Sequence, residues 1–100
     1  MAGLIGKRVV VAGASVGIGR AVALRCAAEG ASLVVNARGE GQLDEAVAQL
    51  RSGGATAIGV AGSVADRDVA GRLIAVAVDQ LGGIDALINC AGIAEPEGSA

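Results

Sequence analysis

The amino-acid sequence predicts an α/β fold with a doubly wound parallel sheet, and two observations carry this prediction. Short runs of apolar, often β-branched residues alternate with longer stretches in which apolar residues recur at helical spacing. Glycines stand at most of the changes from one pattern to the other, where the chain has to turn. Strands that alternate with amphipathic helices form parallel sheets with right-handed crossovers, so the predicted order is β-α-β-α-β-α-β.

Four segments have the pattern of buried strands. They are residues 8–12, 32–37, 56–61 and 85–89. The first contains three consecutive valines, as expected of a strand that is buried on both faces of a sheet. The third, with the sequence TAIGVA, has the weakest pattern of the four.

Three stretches between these strands have the period of amphipathic helices, and glycines end each of them. Their predicted buried rows are Ile18, Val22 and Cys26, then Leu43, Val47 and Leu50, then Val69, Leu73, Val76 and Leu81. The charged residues of the first helix, Arg20, Arg25 and Glu29, are expected to face water. Asp66 can cap the third helix, because its carboxylate can accept a hydrogen bond from a free backbone N–H group.

The composition of the 100-residue chain excludes several classes of function. There is no Phe, Trp, Tyr or His. The chain therefore has no imidazole base, no Ser/His/Asp triad, no histidine-ligated metal site and no aromatic platform for stacking nucleic-acid bases. Its net charge of −2 arises from 8 basic and 10 acidic residues. Neither nucleic acid nor an anionic membrane surface is an expected partner.

Cysteine use and hydropathy predict a cytoplasmic protein. Cys26 and Cys90 are far apart in the sequence and indicate neither a disulfide framework nor a metal cluster. The longest uncharged run, residues 52–65, is shorter than the about 20 residues of a membrane-spanning helix. Residues 7–12 loosely resemble a secretion signal, but the glycines that follow argue against that interpretation.

The strongest chemical signal is the glycine loop GASVGIG, which begins at Gly13 between the first strand and the first helix. Gly13 permits a sharp turn, Gly17 leaves room for a pyrophosphate, and Gly19 lets the helix pack closely on the sheet. The helix that begins near Ile18 directs free N–H groups and its positive dipole end toward phosphates. A plain tight turn is the alternative. Because strand, loop and helix occur together, we favour a Rossmann-like dinucleotide site.

The G-x-x-x-G-x-G spacing resembles that of the short-chain dehydrogenase/reductase family, whose usual form is T-G-x-x-x-G-[IL]-G. Ala12 stands in place of the Thr. Directly after the fourth strand, residues 89–92 (NCAG) are similar to the family's N-N-A-G, with Cys90 in place of the second Asn. The resemblance covers residues 7–93. It implies the sheet order 3-2-1-4 and places the segment after the fourth strand near the adenosine ribose.

The resemblance also favours NADP(H) over NAD(H). Where NAD-binding members have a carboxylate at the end of the second strand, this chain has Ala37 followed by Arg38, whose guanidinium can bind a 2′-phosphate. A plain surface arginine is the alternative. Val16 occupies the family's other position for a basic residue, and Ser63-Val64 replaces an Asp-Val pair near the adenine.

The cofactor-binding set that the resemblance implies lies at the carboxyl ends of the predicted strands. It comprises Gly13, Ser15, Val16, Gly17, Ile18, Gly19, Arg38, Ser63, Val64, Asn89, Ala91 and Gly92. We predict no catalytic residue and no metal ligand. The family's Tyr-x-x-x-Lys pair is absent, because the chain has no Tyr and its only Lys is Lys7. Cys90 has no base to activate it as a nucleophile.

Two hypotheses of function remain open. In the first, residues 1–100 are the N-terminal, cofactor-binding part of an oxidoreductase that moves a hydride between NADP(H) and an alcohol, ketone or 3-oxoacyl substrate, and the chain alone is inactive. In the second, the chain is a non-catalytic nucleotide-binding module or a pseudoenzyme that acts through a partner. In both, the fourth strand is expected to be a bare apolar edge through which the chain self-associates.

Overall fold

Strands and helices alternate along the chain in the computed structural model, which describes residues 3–14 and 17–90. The elements are β1 (Arg8–Ala12), α1 (Gly17–Ala28), β2 (Ser32–Ala37), α2 (Glu40–Ser52), β3 (Ala57–Ala61), α3 (Arg67–Val76) and β4 (Ala86–Asn89). A π-helical turn, Ala77–Leu81, continues α3. The predicted order of strands and helices is confirmed.

All four strands are parallel, and their order across the sheet is β3-β2-β1-β4, which confirms the predicted 3-2-1-4 order. The chain first builds outward from β1 to β3 and then returns to the other side of β1 for β4. The strand order therefore reverses between β1 and β4. In open α/β sheets, ligands bind outside the carboxyl ends of the strands at such a reversal, so the fold itself indicates where a site lies.

Side chains of the strands alternate between two faces of the sheet. On one face Val9 and Val11 belong to a buried cluster that includes residues of α1 and α2. On the other face Val10 and Val34 pack with Leu73 of α3 and with Ala77. The face under α3 thus has one helix where the opposite face has two, and β4 receives the least cover. Leu87 in the middle of β4 is 58% exposed.

The buried row of α1 differs from the predicted one. Ile18 is 48% exposed, and Gly19, Ala23 and Cys26 form the buried row instead. The first turn of the helix lies so close to the end of β1 that a side chain at Gly19 would overlap the backbone of Gly13, whereas a search for large apolar residues selects Ile18. Arg20 is half-buried rather than facing water, because its Nη1 donates a 2.8 Å hydrogen bond to Oε1 of Gln49 in α2.

The start of α3 agrees with the sequence. Asp66 is the N-cap residue, and its Oδ1 accepts a 2.8 Å hydrogen bond from the backbone N–H group of Asp68. The following π-helical turn ends at Gly82, which has a φ of 88°. Within the described parts of the chain, no helix is both long enough and apolar enough to cross a membrane.

Candidate functional site

The turn after β1 begins with a glycine because its backbone conformation requires one. Gly13 has a φ of 78°, which residues with a side chain rarely adopt. The backbone N–H groups of Gly13 and Ala14 donate hydrogen bonds of 3.0 and 2.7 Å to the carbonyl oxygen of Asn36 in β2. The first part of the glycine loop is therefore fastened to the neighbouring strand.

Gly19 has the close-packing role that the sequence predicts. A Cβ atom on Gly19 would collide with the carbonyl oxygen of Gly13 and lie only 2.7 Å from its carbonyl carbon. Both are main-chain atoms, so no side chain can move aside to relieve the overlap. The first turn of α1 can rest on the end of β1 only because this position has no side chain.

Gly17 borders open space at the start of α1. It has a φ of 61°, and no atom lies within 4 Å of the place where its Cβ would be. The N–H groups at the start of this 12-residue helix have no partners within the helix, and the helix dipole is positive there. Unfilled space at the amino end of a helix fits a diphosphate group. Ile18 is exposed beside this opening, while Ser15 and Val16 lie outside the described residues.

The ends of β2 and β3 meet at the same edge of the sheet. Ala37 is buried, and its carbonyl oxygen accepts a 3.0 Å hydrogen bond from the backbone N–H group of Gly62. Arg38 follows directly and is exposed. The hydroxyl oxygen of Ser63 accepts a 3.2 Å hydrogen bond from the backbone N–H group of Ala65, and Val64 packs against the buried cluster under α3.

Sequence reasoning missed Asn36, which connects the loops at this edge. It is 2% exposed, and among the described residues it is the one polar residue that is buried. Its Nδ2 donates hydrogen bonds to the carbonyl oxygens of Val60 (3.0 Å) and Gly62 (2.9 Å). The available signal was a single amide side chain near the carboxyl end of a strand that is apolar at its other positions after Ser32.

The last predicted segment begins at the end of β4. Asn89 is exposed and aligns with Ala12 in the register of the two strands. The backbone N–H group of Cys90 donates a 2.8 Å hydrogen bond to the carbonyl oxygen of Ala12, so the segment starts beside the glycine loop. Cys90 is buried in the same cluster as Cys26, whose thiol pKa is raised by burial. Ala91 and Gly92 lie outside the described residues.

An ion pair of Arg8 and Asp85 lies at the opposite, amino end of the sheet. Nε of Arg8 donates a 2.9 Å hydrogen bond to Oδ2 of Asp85, and Nη2 donates a 3.2 Å bond to Oδ1. The backbone N–H group of Arg8 adds a 2.8 Å bond to Oδ2. The Arg8 guanidinium and this N–H group lower the pKa of Asp85 to about 2. The pair joins β1 to the start of β4 and lies away from the glycine loop.

The described residues at the carboxyl edge of the sheet present groups that can bind a ligand. They include backbone N–H groups at the start of α1, open space at Gly17 and the exposed Arg38. Among residues 3–14 and 17–90, no group of three or more Cys, Asp or Glu residues is arranged to hold a metal ion. This arrangement can bind and orient a ligand that carries phosphate groups.

Comparisons with known proteins agree with this geometry. The family model described as short chain dehydrogenase matches residues 7–100. The chain is 44% identical to L-rhamnose 1-dehydrogenase (NAD(P)(+)) of Azotobacter vinelandii over 90% of its own length and 37% of that protein. It is 40% identical to the 3-oxoacyl-[acyl-carrier-protein] reductase FabG of Staphylococcus aureus over 87% of its own length and 36% of that protein.

A solved structure has the same fold. The crystal structure of L-sorbose reductase from Gluconobacter frateurii, complexed with NADPH and L-sorbose, matches 86% of this chain and 33% of its own, with a TM-score of 0.82 and 36% identity. The chain spans just over a third of the length of the curated relatives described above. Because the family model matches nearly all of it, the chain belongs to the short-chain dehydrogenase family.

Proposed function

We propose that residues 1–100 are the cofactor-binding part of an oxidoreductase that transfers a hydride between NADP(H) and an alcohol, ketone or 3-oxoacyl substrate. The geometry of the glycine loop carries this proposal. Gly13 turns the chain off β1, Gly19 seats α1 on the strand end, and the space beside Gly17 stays open at the amino end of the helix. Each of these features serves the close approach of a diphosphate to the backbone.

The names of the relatives agree with this class of substrate. One oxidises a sugar hydroxyl with NAD(P)(+), as its name states, one is a 3-oxoacyl reductase, and one is a reductase crystallised with NADPH and L-sorbose. All three names describe the interconversion of a carbonyl and a hydroxyl group. The family that this chain belongs to supports the same reaction class for the protein of which these residues are a part.

In this mechanism the residues of the chain would bind the cofactor and orient it. A bound nicotinamide dinucleotide accepts or supplies the hydride. The N–H groups at the start of α1 would hold the diphosphate, and Asn89 at the end of β4 would contact the ribose side. No step of proton transfer falls to these residues, since the sequence has no Tyr and Lys7 precedes β1 at the opposite end of the sheet. We therefore expect the chain alone to bind cofactor without catalysis.

Arg38 supports a preference for NADP(H). It is exposed directly after β2, and Ala37 before it brings no carboxylate that would repel a 2′-phosphate. A guanidinium can form paired, charge-assisted hydrogen bonds with phosphate oxygens. The dinucleotide would meet Arg38 at the adenosine end, because Arg38 belongs to the same edge of the sheet as Ser63 and Val64.

Calorimetric titration of the chain and of Arg38→Gln with NADPH and NADH tests both claims. We expect Arg38→Gln to weaken NADPH binding by roughly tenfold, which corresponds to one charge-assisted hydrogen bond, and to leave NADH binding unchanged. Lys7→Gln is the matched control, because it removes the same charge at the opposite end of the sheet. An equal loss for both cofactors contradicts the role of Arg38. No binding of either cofactor at millimolar concentration contradicts the proposed function.

We also propose that the chain resides in the cytoplasm, binds neither nucleic acid nor membranes, and associates with a second copy along β4. Within the described sheet β4 pairs only with β1, and Leu87 on it is largely exposed. Unpaired backbone groups beside an exposed apolar side chain form a template for another strand. Light scattering should show a mass that rises with concentration in the wild type but not in Leu87→Lys. A monodisperse wild-type monomer contradicts this proposal.

A further inference from the structure

Two loops at the carboxyl edge of the sheet are joined through a single residue of β2. The loop after β1 begins at Gly13, and the loop after β3 begins at Gly62. The carbonyl oxygen of Asn36 accepts hydrogen bonds from Gly13 and Ala14, while its side-chain amide donates to the carbonyl oxygens of Val60 and Gly62. Main chain and side chain of Asn36 thus fasten different loops.

The conformation of the loop after β3 explains why an amide is needed here. Gly62 has a φ of 126°, so the chain bends sharply away from the strand. The bend brings the carbonyl oxygen of Gly62 within 2.9 Å of the Asn36 side chain. Asn36 offers two N–H donors on one short side chain, which is the number required by the carbonyl oxygens of Val60 and Gly62.

We infer that Asn36 is a positioning residue for the dinucleotide, because its side chain fixes the adenosine-side loop, Gly62 to Val64, relative to the glycine loop. This inference rests on the proposed function. The buried amide does not contact the ligand. It sets the distance between the groups that bind the diphosphate and those that border the adenine, and a ligand that spans both loops depends on this distance.

The division between main chain and side chain gives this role a distinctive signature. Any residue at position 36 supplies a carbonyl oxygen to Gly13 and Ala14, so side-chain substitutions leave the glycine loop fastened. In the loop after β3, the backbone N–H group of Gly62 bonds to the carbonyl oxygen of Ala37 whatever residue 36 is, but the carbonyl oxygen of Gly62 is held by the donor on the side chain of residue 36. A substitution should therefore weaken a ligand that reaches both loops and spare a ligand that reaches the glycine loop alone.

The experiment compares ADP with inorganic pyrophosphate as probes in NMR titrations of the chain. In Asn36→Leu, which has no donor, we expect ADP affinity to fall roughly tenfold, equivalent to the loss of one or two hydrogen bonds. Pyrophosphate affinity should change less than about twofold. Asn36→Thr retains one donor, so its ADP affinity should lie between those of the wild type and Asn36→Leu. If the leucine variant does not fold, the threonine variant provides the test.

A matched control separates positioning from loss of stability. Leu33→Ala alters a buried residue near the amino end of the same strand, where it is in register with Val9 and Ala57, and it leaves a cavity there. Lower stability reduces the affinity for both probes by the same factor, namely the folded fraction. Leu33→Ala should therefore keep the wild-type ratio of ADP to pyrophosphate affinity, whereas the Asn36 variants should lower it.

The outcomes distinguish this inference from the proposed function. A selective loss of ADP binding in the Asn36 variants supports the positioning role. If the wild type binds both probes and the Asn36 variants lose both equally or lose neither, the positioning role is overturned and the proposed function stands. If the wild type binds neither probe, the proposed function is overturned together with the inference that rests on it.

Discussion

The two ends of the sheet are built from different kinds of interaction. At the amino end, charged side chains join neighbouring elements, as in the hydrogen-bonded pair of Arg8 and Asp85. At the carboxyl end, the contacts described above are made by main-chain groups, by glycines and by the buried amide of Asn36. An ion pair joins two strands at the amino end, and open space borders Gly17 at the carboxyl end.

This difference follows from what each end has to do. Side chains that bridge strands stabilise the fold, but they also fill space and occupy donors. A site for a diphosphate needs unoccupied N–H groups and room beside the backbone, as at Gly17. Buried hydrogen bonds between strands and loops therefore stabilise the carboxyl end, while the ion pair of Arg8 and Asp85 stabilises the amino end.

The largest expected effect comes from adding a side chain at the closest backbone contact of the carboxyl end. Gly19→Val places a Cβ against the carbonyl group of Gly13, which cannot move without displacing β1. We expect a loss of about 3 kcal/mol in the free energy of unfolding, at the upper end for overpacked sites. Urea denaturation followed by circular dichroism measures this loss.

Gly71→Ala in α3 is the matched control for Gly19→Val. Gly71 is also a helical glycine, but no atom lies within 4 Å of its Cβ position. Alanine restricts the unfolded chain more than glycine does, so the free energy of unfolding of this variant should rise by about 0.5–1 kcal/mol. If Gly19→Val is as stable as Gly71→Ala, that result contradicts the close contact between the start of α1 and the end of β1.

The sequence predicted the fold well because strands and glycines are local signals. The valines of β1 and the glycine between strand and helix need no knowledge of the rest of the chain. The predicted burial of Ile18 was wrong and the role of Asn36 was missed, since the surroundings of both residues depend on tertiary contacts. The exposure of Ile18 follows from the close seating of α1, and the partners of Asn36 lie on a strand more than twenty residues away. No periodicity within one element reveals such contacts.

A second, smaller effect on the free energy of unfolding is expected from alanine substitutions at two glycines with positive φ, one at each end of the sheet. Gly54 at the amino end has a φ of 94° and open space at its Cβ position, while Gly62 at the carboxyl end has a φ of 126° and Val69 Cγ2 at 2.6 Å. Alanine at Gly54 should cost about 1 kcal/mol for conformation alone. Gly62→Ala should cost about 2 kcal/mol, because Val69 must also move.

Thermal unfolding measures the stability loss of both variants, and ADP titration adds a second test. Gly62→Ala should weaken ADP binding because it displaces the loop that Asn36 holds, whereas Gly54→Ala should leave ADP binding unchanged. Equal stability losses in the two variants would show that the side chain of Val69 moves aside at no measurable cost. Equal effects on ADP binding would contradict the assignment of the ligand to the carboxyl end.

The smallest expected effect concerns the ion pair at the amino end and depends on pH. The pKa of Asp85 is lowered to about 2, below the about 3.9 of an unfolded Asp. The folded state therefore binds the proton of Asp85 less readily than the unfolded state does. The stabilisation by Asp85 is complete above about pH 4 and is lost as the pH falls toward 2. Because the pair is partly exposed, salt should weaken it.

Asp85→Asn removes this pH dependence while keeping the shape of the side chain. Urea midpoints measured between pH 7 and pH 2 should fall more steeply for the wild type than for Asp85→Asn, and the two curves should converge at the acid end. Asp44→Asn, a substitution at an exposed carboxylate of α2, should follow the wild-type curve. ADP affinity at neutral pH should be the same in Asp85→Asn and wild type, since this carboxylate lies at the end of the sheet opposite the proposed site. A change in ADP affinity would show that the two ends are coupled.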